Sequence, residues 1–137
     1  MPDRDATALI QSAMPLCATL GIRAQRYTRE EVVLSLDWAP GLCTTGGLMH
    51  GGAIMALADS AGGACAMLNL PADASGTATI ESHSNFLGAV RAGTVTATAS
   101  PLHAGRTTIV VETSVRDSDG RLVAKVTQTQ MVLRARA

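Results

Sequence analysis

Residues 53–68 are the stretch around which the rest of this chain has to arrange itself. Their sequence, AIMALADSAGGACAML, holds one charged side chain, Asp59, among small and apolar residues. A helix that is apolar on every side is a buried helix. A carboxylate buried there without a partner is costly or shifts its pKa upward. Packing alone gives no reason to keep one, so Asp59 is expected to serve chemistry. Just upstream, Gly46-Gly47-Leu48-Met49-His50-Gly51-Gly52 brings turn-forming glycines and a histidine to the start of the helix.

Length and hydropathy make residues 47–70 resemble a membrane span. His50, Asp59, Asn69 and the internal glycines, followed by strand-like alternation, instead predict the buried helix of a soluble protein. The chain has 137 residues, 47% apolar, with zero formal net charge. That predicts one folded domain, residues 1–137, with a substantial core. It argues against disorder, and against a nucleic-acid binder driven by excess positive charge. Tyr27, Trp38 and Phe86 are the only aromatics, too few for base-stacking platforms, so Val, Leu, Ile, Ala and Met must fill the core. Cys17, Cys43 and Cys65 show neither disulfide nor zinc-ligand spacing, which predicts a reduced, cytoplasmic setting. The N-terminus shows no apolar leader, so no targeting segment is expected.

Around the central helix the periodicity reads in order. Residues 5–20 are helical, split at Pro15 and ended by Gly21. Strands are expected over 22–28 and 31–38, then a loop over 40–49. After the helix come four strands, 77–87, 94–101, 107–116 and Leu122–Leu133, joined by short connections as an antiparallel meander. In the first, Thr79, Glu81, His83 and Asn85 alternate with Ile80, Ser82, Ser84 and Phe86. One buried helix and an antiparallel sheet make an α+β fold with the sheet curled around the helix.

That order of elements, with Gly47-Leu48-Met49-His50-Gly51-Gly52 and Asp59 nine residues after the histidine, resembles the hotdog-fold acyl-CoA thioesterases, above all the phenylacetate-pathway type. Met14-Pro15, Leu20-Gly21-Ile22, Asn85-Phe86-Leu87, Val90-Arg91-Ala92-Gly93 and Asp119-Gly120-Arg121-Leu122-Val123-Ala124 extend the likeness over nearly the whole chain. The resemblance implies hydrolysis of a CoA thioester to free acid and CoA. No metal or separate cofactor is implied, since coenzyme A is part of the substrate. His50 then resembles the histidine lining the site, or serves only as the helix cap. Thr79 matches a Ser/Thr position that holds the nucleophile or water. Thr44 stands where the family commonly has asparagine, which implies weaker activity or altered water placement. Arg91 and Arg106, beside turns, are candidates for the CoA phosphates.

Thioester hydrolysis needs an oxyanion donor and a carboxylate that attacks or activates water. The Gly51 and Gly52 amides at the positive end of the helix fit the first role, with Gly47 and Gly52 allowing close approach of substrate. Asp59 fits the second, as nucleophile or general base. Eight residues separate Gly51 from Asp59, about 12 Å along a helix at ~1.5 Å per residue. One carbonyl cannot meet both, so the acid must come from a second copy of the helix across a two-fold axis. A homodimer with shared sites is expected, or a dimer of dimers. The alternative is a non-catalytic hotdog protein that binds acyl-CoA as a sensor. Serine-hydrolase chemistry is disfavoured because no Gly-x-Ser-x-Gly elbow is present, and the Asp-x-Asn-Pro-x-His pattern of hotdog hydratases is absent.

Overall fold

Two short helices open the chain. In the computed structural model, which describes residues 1–136, α1 (Arg4–Ala13) starts where the Asp3 carboxylate accepts the Ala6 N–H at 2.9 Å. Helix α2 (Pro15–Leu20) carries proline at its first position, where no N–H is needed, and stops at Gly21, whose φ of 77° an L side chain resists. The hairpin β1 (Arg23–Tyr27) and β2 (Val32–Asp37) follows. After two single 3-10 turns comes α3 (Gly51–Leu68), then β3 (Gly76–Phe86), β4 (Thr94–Ala104), β5 (Thr108–Arg116) and β6 (Leu122–Leu133).

All six strands form one antiparallel sheet in the order β1-β2-β4-β5-β6-β3, and α3 packs against every strand from β2 to β6. This is the expected α+β hotdog architecture. Its core is aliphatic: Ile10, Ile22, Leu34, Leu36, Leu57, Val95 and Val111 are fully buried. The helix is long and apolar enough to cross a membrane by length and composition, yet half of it lies buried in the sheet's concave face.

Two expectations about the sheet need correction. The four late strands are not one meander: β4, β5 and β6 are, but β3 lies on the far edge beside β6. A short connection does not force neighbours to pair. Three strand spacings of ~4.8 Å come to about 14 Å, which the seven residues 87–93 can span. Alternation along β3 also breaks. Thr79 pairs with Gln130 and Glu81 with Thr129, so Ile80 is the extra residue of a β-bulge. Ser82 and Ser84 pair with Gln128 and Val126. Thr79 therefore shares the helix-side face with Ser82, Ser84 and Phe86, not the outer face with Glu81 and His83.

Candidate active site

The loop before α3 aims the start of the helix. Gly46 and Gly47 adopt φ of 75° and 73°, folding the chain back so that Cys43 bridges to Met49. The Trp38 indole N–H donates to the Gly47 carbonyl at 3.0 Å, and the Met49 N–H to the Val90 carbonyl at 2.8 Å. Loop, strand β2 and the β3–β4 connection thus clamp one helix terminus.

At that terminus the two amides expected as oxyanion donors part ways. His50 is the N-cap, and its Nδ1 accepts the Gly52 N–H at 2.7 Å. An accepting Nδ1 leaves the neutral ring's proton on Nε2. The Gly51 N–H has no acceptor among the described residues. It is the free donor at the positive end of an 18-residue helix. A Cβ on Gly51 would come within 3.3 Å of Cζ of the half-exposed Phe86 ring, so the bare backbone keeps the approach to this amide narrow but open.

Asp59 departs from expectation. It is exposed in the single chain, because the sheet covers only one side of α3. Gly52, Met55, Asp59 and Met67 run along the uncovered side at helical spacing, with Met55 at 42% and Met67 at 49% exposure. Asp59 is also not unpaired, since its Oδ1 accepts from Nε2 of Gln128 at 3.0 Å. Ser82 of β3 joins Gly52, Met55, Ala56 and Asp59 around a recess of about 280 Å³.

The remaining candidates spread out. Thr79 lies on the helix-side face of β3, its Oγ1 accepting from Gln130 Nε2 at 2.6 Å, which leaves its own hydroxyl proton to donate elsewhere. Thr44 is exposed in the loop and does not line the recess. Arg91 borders a cavity of about 490 Å³ with Asp117, Ser118 and Arg121. Arg106 sits in the β4–β5 turn, where its carbonyl accepts from Arg134 at 2.8 Å. An 11-residue strand stands between the two arginines, roughly 35 Å at about 3.3 Å per residue. One chain does not bring them together.

Three residues escaped the sequence reading: Ser82, Gln128 and Gln130. The glutamines had a signal, for they occupy alternate positions of a strand whose inward residues are otherwise Ala124, Val126 and Val132. Both are buried, at 0% and 2% exposure. Ser82 had none, because the Ile80 bulge sets its face relative to Thr79.

Comparison with known proteins gives the family. Residues 46–124 match the sequence model of the Thioesterase superfamily. Pseudomonas aeruginosa PA1618 is 32% identical over 120 residues, covering 86% of this chain and 83% of that protein. The crystal structure of a mutant thioesterase PA1618 superposes with a TM-score of 0.87, covering 98% of this chain and 96% of that one at 29% identity. Thioesterase HI1161 of Haemophilus influenzae gives a TM-score of 0.85 at 25% identity, covering 92% and 88%. A 1,4-dihydroxy-2-naphthoyl-CoA hydrolase of Listeria monocytogenes is 30% identical over 110 residues, 80% of this chain and 89% of that protein. With a family match running from the glycine turn before α3 into β6, and two thioesterase structures sharing its fold, the chain belongs to the Thioesterase superfamily.

Proposed function

We propose that the protein is an acyl-CoA thioesterase that works as a homodimer. The observation that carries this reading is the free Gly51 N–H at the positive end of α3, with the Gly52 N–H already taken by His50. The thioester carbonyl oxygen accepts from Gly51, and the dipole favours the charge that develops there. Asp59 attacks the carbonyl carbon or takes the proton of an attacking water. The carbon–sulfur bond breaks, the thiolate leaves and is protonated, and one water is consumed to give free acid and CoA. His50 Nε2–H, Thr79 and Ser82 are the neighbouring donors, and Thr44 assists from the loop. Gly47 and Gly52 keep the backbone open to substrate, and Arg91 or Arg106 meets CoA phosphates.

Three features support a shared site. Gly51 and Asp59 are about two helical turns apart on one helix, and the exposed methionines beside Asp59 are an apolar stripe suited to a partner helix. Strand β3 is also a long edge with one neighbour, β6, and an unpaired edge invites pairing with a second copy. The acyl group has room further along α3. An apolar cavity of about 400 Å³ lies between α1 and α3, lined by Leu9, Met14, Tyr27, Gly63 and Met67. Gly63 and Met67 follow Asp59 by one and two turns. A CoA-thioester substrate accords with the naphthoyl-CoA hydrolase among the relatives. Three free cysteines suit a reducing cytoplasm.

The test is thiol release from short, medium, long and aryl CoA thioesters, wild type beside Asp59→Asn, with the oligomeric state read by sedimentation. Turnover that falls about a hundredfold or more in the variant, in a dimer or larger assembly, is expected. Binding without turnover would mean a sensor, and an active monomer would overturn the shared site.

A further inference from the structure

We propose that Gln128 is the positioning residue for Asp59, holding its carboxylate from below through a slot that Gly62 keeps open. This rests on Asp59 being the reactive acid of the proposed thioesterase.

The orientation of the glutamine is forced by chemistry. An ionised carboxylate only accepts hydrogen bonds, so the atom facing Asp59 Oδ1 at 3.0 Å is Nε2. Oε1 then points into the helix, where it has no hydrogen-bond partner among the described residues. A Cβ at Gly62 would overlap both Oε1 and Cδ of this carboxamide. Gly62 lies three residues after Asp59 on α3, so the carboxamide enters at the level where Gly62 has no side chain and reaches the acid.

As packing, this arrangement makes little sense. An orphaned buried acceptor costs stability, and so does a glycine inside a helix. A methionine or leucine on β6 facing an alanine on α3 would avoid both costs. What the glutamine and glycine provide together is one donated bond to Asp59, whose carboxylate has no other hydrogen-bond partner among the described residues. Holding the acid by Oδ1 leaves Oδ2 without a partner among the described residues and limits the conformations lost on reaching the transition state. Two residues along the same inward face, Gln130 does the same for Thr79 at 2.6 Å. Strand β6 thus braces Asp59 on the helix and Thr79 on strand β3.

The experiment compares wild type, Gln128→Met, Asp59→Asn and the double variant on the acyl-CoA that wild type turns over fastest. A positioning role predicts that Gln128→Met lowers kcat about tenfold while KM stays within about twofold. In the Asp59→Asn background the same change should alter the residual single-turnover rate less than about twofold. Equal kcat in Gln128→Met and wild type overturns the proposal, as does a kcat loss that persists without Asp59. Should Gln128→Met not fold, Gly62→Ala pushes the carboxamide aside with both polar residues present, and the same comparison applies. Should wild type hydrolyse no thioester, the hydrolase reading fails by itself. Unfolding of the four proteins then decides the tether, and strictly additive losses overturn it.

Discussion

Gly62 and Gly63 are adjacent on α3, yet alanine should act on them with opposite sign. Replacing a glycine inside a helix gains about 1 kcal/mol of helix propensity. At Gly63 the new methyl meets nothing within 4 Å, so Gly63→Ala should stabilise by roughly 0.5–1 kcal/mol. At Gly62 it collides with the buried carboxamide of Gln128. Displacing that group loses a hydrogen bond to a charged acceptor, about 1.5 kcal/mol at the low end that suits a solvent-exposed carboxylate. Overpacking adds about 1–3 kcal/mol. Subtracting the propensity gain leaves Gly62→Ala destabilised by roughly 1.5–3.5 kcal/mol. Urea unfolding of both variants and wild type, at one fixed protein concentration because assembly adds to stability, measures the contrast. Equal stability of the two variants, or a Gly62→Ala protein no weaker than wild type, would refute the argument that the carboxamide occupies that space.

Two further outcomes follow from the geometry. His50→Ala removes the acceptor for the Gly52 N–H and should cost about 1 kcal/mol. His50→Asn restores a good cap without the ring, so it should regain stability while thiol release stays low; recovered turnover would make His50 a cap and nothing more. At the sheet end, hydrogen bonds from Arg23 and then Thr94 hold the Asp37 carboxyl at about 2, below the usual 3.8. A depressed carboxyl pKa stabilises the fold above the unfolded value, and that contribution is lost progressively as pH falls from about 5 through the folded value to about 1. The Asp37 side chain is 55% exposed, so Asp37→Asn should cost at most about 1 kcal/mol at pH 7. In pH-dependent unfolding the difference should shrink through that range and vanish near pH 1, and a full gap that survives there would refute it.

The candidate site divides along the range of the forces that make it. The start of α3 at His50-Gly51-Gly52, the end of α2 at Gly21 and the two-turn offset between Gly51 and Asp59 could all be read from residue order. Capping, left-handed glycine and helical rise act within a few residues. Strand character in β3 to β6 was readable for the same reason, through alternation. Pairing was not. Thr79 meets Gln130 across 51 residues and Asp59 meets Gln128 across 69, and nothing local to either partner names the other. The Ile80 bulge turns Thr79 to the helix side only because β3 must register against β6 at both of its ends. Exposure of Asp59 was likewise beyond local reading: composition makes α3 apolar all round, while the sheet's curvature decides which side it covers. Residue order therefore specified the candidate groups and the helix that carries them. Long-range packing specified which groups hold them still, and which face of α3 the sheet leaves uncovered.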